Sequence, residues 1–350
     1  MRAVLEKVLL NTWQKRGLLA CLLWPVSRLF QLLVTFRFGL FVMGYKAQTK
    51  LPVPVVVVGN IFIGGTGKTP LVIWLVQQLK QAGWHPAVIS RGYGVHAESV
   101  ILLDAMSQAQ QVGDEPVLIA ARAQCPVAVG RDRVAVATCI LAANPQVDVI
   151  IADDGLQHYA LGRDVELVLF DQRGAGNGWL LPAGPLREPV ERRRDFTVCN
   201  LAGPDAVLPG MMPADTVRMH LQAGQAYRLS DRLSDDRQCK PLAGFSGQRL
   251  LAAAGIGNPQ RFFDMLTMQG LPCQTKAFPD HHAFDEQSFK GVDADCILIT
   301  EKDAVKCRQI PALLDDARIW VVPVEAQLDA AFAASLIQMI SEKKHGRTSA

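Results

Sequence analysis

Beyond residue 53, short unbroken apolar runs alternate with stretches of helical periodicity. Val55-Val56-Val57-Val58 has the pattern of a central parallel strand buried on both faces. A helix is predicted from about Thr69, with Pro70 in its first turn and Gly83 ending it, and Ala87-Val88-Ile89-Ser90 follows as a strand. The rhythm repeats with a strand at Pro126-Val127-Ala128-Val129, a helix over 131–143, and strands over 147–152 and 165–170. Such alternation predicts a doubly wound, mainly parallel α/β sheet. Residues 172–195 are glycine- and proline-rich loop, and 205–245 carry only short strand candidates. A second strand–helix series begins at Leu250-Leu251-Ala252-Ala253-Ala254 and includes strands at 296–300 and 319–323, which predicts a smaller second α/β domain.

The head of the chain has a different pattern. Residues 17–45 are strongly apolar, but Pro25, Arg28 and Arg37 interrupt the run, where a spanning helix needs about 20 apolar residues. Arg28, Gln31 and Thr35 form a narrow polar stripe, and Trp13 and Trp24 share a face, so the segment reads as an amphipathic helix in a membrane interface. Arg37 lies off that stripe, and a helix hairpin buried on the domain is the alternative.

Charge strengthens the membrane reading. Residues 1–50 hold eight basic residues against Glu6 alone, a net of +7 within a chain of +3, which leaves the other 300 residues at −4. A basic apolar head on a mildly acidic body suits an anionic membrane surface. The body has no basic stripe or recognition-helix pattern, so no nucleic-acid partner is expected. Eight scattered cysteines without a C-x-x-C pair read as reduced residues of a cytosol-facing protein.

The most specific chemistry lies after the first strand. In Gly64-Gly65-Thr66-Gly67-Lys68-Thr69 the glycines let backbone N–H groups face phosphate oxygens at a helix N-terminus. Lys68 would reach the β- and γ-phosphates and Thr69 would offer a hydroxyl to Mg²⁺. The strict G-x-x-x-x-G-K-[ST] pattern fails at Phe62, and Ile63 stands where a related class has lysine. The fold expected is therefore P-loop-type α/β. Its parts are the helical head over 1–50, a nucleotide-binding core over 51–204, a linker with short strands over 205–248, a smaller α/β domain over 249–343 and a tail over 344–350.

Polar clusters at strand ends would share that crevice. One aspartate of Asp153-Asp154-Gly155-Leu156-Gln157-His158 would hold Mg²⁺, directly or through water. Within Ser90-Arg91-Gly92-Tyr93-Gly94, Arg91 suits an anionic substrate and Tyr93 a sugar. Spacing alone makes Asp114, in Gly113-Asp114-Glu115-Pro116, a helix N-cap. Phe278-Pro279-Asp280-His281-His282 reads as a polar loop, and Thr300-Glu301-Lys302-Asp303 equally suits a charged helix start.

Together these segments, with Val58-Gly59-Asn60, Gly130-Arg131-Asp132-Arg133, Leu186-Arg187-Glu188 and Gly255-Ile256-Gly257-Asn258-Pro259, resemble the tetraacyldisaccharide 4′-kinase family in order along nearly the whole chain. The resemblance implies transfer of the ATP γ-phosphate to the 4′-hydroxyl of a tetraacylated glucosamine disaccharide 1-phosphate, in lipid A biosynthesis at the cytoplasmic face of the bacterial inner membrane. It also makes the departure at Phe62 a feature of the family's own loop. It makes Asp114 the general base, paired with His281 or its neighbour His282, and gives Mg²⁺ to Thr69, Asp153, Asp154 and Glu188. Arg187 would meet phosphate charge, and Asn60, Arg91 and Tyr93 are expected on the substrate. The competing reading, a membrane-associated P-loop NTPase switch or metallochaperone, leaves Asp114, His281 and Glu188 without a task.

Overall fold

The structure is a computed structural model that describes residues 12–92, 99–210, 212–231 and 238–348. Helix α1 (Leu18–Val42) precedes β1 (Val55–Gly59), and α2 (Lys68–Gln81) follows the glycine loop. Next come β2 (Pro86–Ser90), β3 (Ile101–Leu102), α3 (Ala109–Val112), α4 (Asp114–Ala123), β4 (Val127–Val129), α5 (Arg133–Ala143) and β5 (Val149–Asp153). β6 (Val165–Asp171), β7 (Phe196–Leu201) and β8 (Val217–Ala223) complete this run. A second unit holds β9 (Ala226–Arg228), β10 (Cys239–Lys240), β11 (Leu250–Ala254), α6 (Pro259–Met268), β12 (Gln274–Ala277), β13 (Cys296–Thr300), α7 (Glu301–Cys307), α8 (Pro311–Leu314) and β14 (Ile319–Val322). The chain ends with β15 (Val324–Leu328) and α9 (Ala330–Thr348).

The larger sheet runs β15-β8-β7-β6-β1-β5-β2-β4-β3. Its strands are parallel except at the edges, where β15 and β3 pair antiparallel. β1 lies between β5 and β6, so its residues are buried from both faces. Val56 and Val58 join one core layer with Leu71 and Leu75 of α2, Ile119 of α4 and Leu336 of α9. Val55 and Val57 face the opposite layer, with Ile140 of α5, Leu156 and Leu186. A fully buried Val or Ile side chain contributes about 1.5–3 kcal/mol, so this two-faced burial fixes the strand carrying the glycine loop. The smaller sheet, β10-β9-β14-β13-β11-β12, is parallel over its last four strands.

The chain crosses between the units more often than the predicted boundaries allow. From the expected linker, β8 joins the large sheet, while β9 and β10 join the small one. From the expected second domain, β15 and α9 return to the large sheet, where Phe332 stacks on Trp74 of α2 with ring centroids 5.8 Å apart. The expected tail from 344 is helical to Thr348. β8 and β15 alternate polar with apolar residues, as partly exposed strands near a sheet edge do, and so lack the apolar runs that mark β1 or β13.

Helix α1 runs unbroken through Pro25. Ala20 and Ser27 are buried on the body, the Ser27 hydroxyl donates to the Leu180 carbonyl, and Phe38 and Phe41 pack on Tyr159. Its other side leaves Leu22, Leu29, Leu32, Leu33 and Phe36 in the open. Length and composition alone would let this helix cross a bilayer. The buried-hairpin alternative does not describe it, because its apolar side is uncovered.

Candidate active site

The carboxyl ends of β1, β2 and β5 open onto one cavity of about 1610 Å³, whose far wall belongs to the second unit. That exceeds the roughly 300–1,000 Å³ usual for a single small ligand, so two substrates fit together. Gly64 to Thr69, Arg91, Asp114, Asp153, Asp154, Arg187 and His281 all line it.

The glycine loop is held from below. Asn60, fully buried, donates from its amide to the carbonyls of Phe62 and Gly64 at 2.6 and 3.1 Å. Its Oδ1 accepts from Lys68 Nζ at 3.0 Å. Phe62, at the position of the missing first glycine, is buried in the core beneath the Arg173 guanidinium, 4.2 Å from the ring centre. There it anchors the loop's start. At the loop's end Gly67 has φ +97°, and a Cβ there would lie 2.3 Å from Asn200 Nδ2. Glycine is required on both counts. Asn200 uses the same amide to donate to the Thr66 carbonyl at 2.9 Å.

Two carboxylates follow β5. Asp154 has φ +51°, a left-handed conformation that turns it towards Lys68 at 3.5 Å and Arg187 at 3.4 Å. Burial would raise its pKa, but Lys68 and Arg187 outweigh burial and hold it below the ordinary carboxylate range. Asp153 is fully enclosed and accepts from the Ser90 hydroxyl at 3.1 Å. Burial, with the Glu115 and Asp154 charges nearby, pushes its pKa up despite Lys68 and Arg133. Its second oxygen, Oδ1, is buried without a hydrogen-bond partner. A carboxylate oxygen left with open lone pairs in the cavity that Thr69 also lines fits a hard divalent cation, because Mg²⁺ takes oxygen donors and keeps phosphate and water ligands. Among the described residues, no group of three acidic, His or Cys side chains would cage a metal alone. His158 is driven down to about 4 by burial and by Arg133, Arg91 and Arg37, which keeps it neutral.

Across the cavity, helix α4 starts at Asp114, and its cap position is Gly113 with φ +93°. Asp114 is therefore a first-turn residue, and its buried carboxylate points at the second unit. Asp114 Oδ2 lies 3.2 Å from His281 Nδ1. Lys306 and Lys302 Nζ stand 3.8 and 3.9 Å from the same oxygen. Burial raises the Asp114 pKa, yet the His281 hydrogen bond and these cations overcome it and leave it lowered. His281 is raised, chiefly by its bond to Asp114. The His282 ring instead stacks on Phe278, centroids 4.5 Å apart, so the geometry selects His281.

Two expected site residues stand elsewhere. Asn60 is a brace beneath the loop, since its amide is spent on the loop itself and it is closed to solvent. Glu188 does not line the cavity. Its carboxylate accepts from Gln157 and Arg192, each at 2.7 Å, so an ion pair consumes the charge expected to meet a metal. Tyr93 lies outside the described residues. Sequence reasoning missed Asn200, Arg261, Lys302 and Lys306 as site residues. Arg261 Nη2 donates to Asn200 Oδ1 at 2.8 Å and so ties the second unit to the glycine loop. The Thr300–Asp303 segment was visible as a charged helix start, and Thr300 does cap α7, but its reach to Asp114 depends on how the units meet.

A family model described as tetraacyldisaccharide-1-P 4′-kinase (LpxK) matches residues 19–341. A tetraacyldisaccharide 4′-kinase of Janthinobacterium sp. (strain Marseille) is 58% identical over 350 residues, spanning 99% of this chain and 98% of the relative. A protein of the same name from Herminiimonas arsenicoxydans is 55% identical over 348 residues, spanning 97% of each. Among solved structures, LpxK from Aquifex aeolicus in complex with ATP superposes with a TM-score of 0.75 at 26% identity, over 92% of this chain and all of that one.

Proposed function

From the premise that this chain belongs to the tetraacyldisaccharide-1-P 4′-kinase family, we propose how its own residues carry the reaction. The activity is ATP-dependent phosphorylation of the 4′-hydroxyl of a tetraacyldisaccharide 1-phosphate in lipid A biosynthesis. The family model and the two relatives above are described as kinases and lend no support to the NTPase-switch alternative.

ATP lies along Gly64 to Thr69, with its phosphates against the N-terminus of α2 and Lys68 at the β- and γ-phosphates. The acceptor hydroxyl approaches from the Asp114 wall. As the new P–O bond forms, the bond from the γ-phosphorus to the β–γ bridging oxygen breaks, ADP leaves, and the hydroxyl proton passes to Asp114. A carboxylate with a depressed pKa is ionised at neutral pH but is a weak base. Proton transfer therefore comes late, once the loose transition state has acidified the hydroxyl. His281 donates to Asp114 and fixes its orientation. Arg187 and Lys68 meet the charge that develops on phosphate oxygens. A bound Mg²⁺ would be held by Thr69 with Asp153 or Asp154 and would neutralise phosphate charge. Arg91 is the candidate for the acceptor's anionic groups.

Helix α1 lies in the interface at the cytoplasmic face of the inner membrane, with its open leucines among acyl chains and its arginines at headgroups. There it delivers the acylated acceptor to the cavity. The observation that carries the reading is that the glycine loop and the Asp114–His281 pair line the same cavity. Incubation with γ-labelled ATP, Mg²⁺ and the disaccharide 1-phosphate should move label into the lipid. Label recovered only as inorganic phosphate would overturn the reading.

A further inference from the structure

We propose that Lys302 is a positioning residue for the transfer, its ammonium group bridging the two units so that His281 meets Asp114. The proposal rests on the reading of Asp114 as the base. Lys302 Nζ lies 3.1 Å from Glu115 Oε1 and 3.9 Å from Asp114 Oδ2, both on α4. It lies 3.4 Å from Asp280 Oδ1, on the loop that carries His281. The ammonium is largely enclosed, and although burial disfavours its charge, Glu115, Asp114 and Asp280 raise its pKa and keep it cationic.

The link to His281 runs through the backbone. His281 has φ +57°, a left-handed conformation that is unfavourable for a residue with a Cβ. Its N–H donates to Asp280 Oδ1 at 3.0 Å, and that oxygen is the one Lys302 holds. Lys302 thus secures the carboxylate that stabilises the unfavourable turn, and the turn aims the imidazole at Asp114. Without the ammonium, Asp114 and Glu115 on one unit would repel Asp280 on the other, and the loop would move away. Lys306 cannot replace it, because its other carboxylate partner is Asp303 on its own helix, at 3.4 Å. The charged groups around Asp114 are then Glu115 from α4, Asp280 and His281 from the loop, and Lys302, Asp303 and Lys306 from α7.

The test uses the full chain with Lys302→Met, Lys302→Arg and, in parallel, Asp114→Asn. Transfer from γ-labelled ATP to the disaccharide 1-phosphate in detergent micelles is followed across pH, and ATP affinity is titrated separately. Lys302→Met should lower kcat by about 10²-fold, the scale of a misplaced reacting group, with KM for ATP nearly unchanged. Its acid limb should move to higher pH, because Asp114 has lost a neighbouring cation. Lys302→Arg should restore most of kcat and return the limb. The proposal fails if the Met variant keeps wild-type kcat and acid limb. It also fails if Met and Arg lose activity alike, or if the loss comes without a shift of the limb. Loss of activity in Asp114→Asn beside a normal Lys302→Met would overturn only the role of Lys302. Wild-type rates in Asp114→Asn would instead remove the reading of the base beneath it.

Discussion

Gly67→Ala tests how the glycine loop is shaped. The added methyl must accept φ +97°, which costs an L-residue about 1–2 kcal/mol. It would also stand 2.3 Å from Asn200 Nδ2, far inside the non-bonded contact distance of a Cβ, so the amide must shift. Asn200 is fully buried, and its donor to the Thr66 carbonyl at 2.9 Å has no solvent to turn to. An orphaned buried donor costs about 1–3 kcal/mol. Together the expected destabilisation is about 2–5 kcal/mol, a large share of the roughly 5–15 kcal/mol typical of a folded protein. Urea denaturation measures it, and ATP titration should show weaker binding alongside. Asn200→Ala removes the clashing amide, so Gly67→Ala in that background should be less destabilising than in the wild type. A coupling of about 0.5–3 kcal/mol is expected for groups in contact. Strict additivity, or a Gly67→Ala variant as stable as the parent, would refute the proposed clash.

Three further outcomes are expected. Lys68→Ala should weaken ATP binding about 10–100-fold, since a hydrogen bond to a charged group contributes about 1.5–3 kcal/mol, and turnover should fall with it. Leu22→Asp with Leu29→Asp, both on the open side of α1, should cut liposome co-sedimentation at least about tenfold while leaving ATP binding intact. The raised pKa of His281 makes its attraction to Asp114 fully present below the unfolded value of 6.5 and lost as pH rises through the folded value. The Tm difference between wild type and His281→Gln should therefore be largest on the acid side and shrink in alkali.

Much of the large sheet was legible because its signals are local. The valine run of β1, the glycine loop and the first turn of α2 are contiguous, and each forms for reasons found within a few residues. β8 and β15 were not legible, since their alternating polarity acquires meaning only beside the strands they pair with. The site divides in the same way. Asp153 and Asp154 stand at the end of β5 and Lys68 at the start of α2, at the carboxyl edge where open α/β sheets bind ligands. Asp114 and His281 are 167 residues apart. From its neighbours Asp114 reads as a helix start, which it also is, and only resemblance to a known family marked it as a base. Glu188 and Asn60 show the converse, in which a polar residue beside a motif is taken up by a neighbour that local sequence does not reveal.

The most direct measurement is the single-turnover rate at which Asp114→Asn transfers label from bound γ-labelled ATP to the disaccharide 1-phosphate. If Asp114 takes the hydroxyl proton, the rate should fall by about 10²–10⁴-fold while ATP affinity stays at the wild-type level. A wild-type rate in that variant would contradict the account.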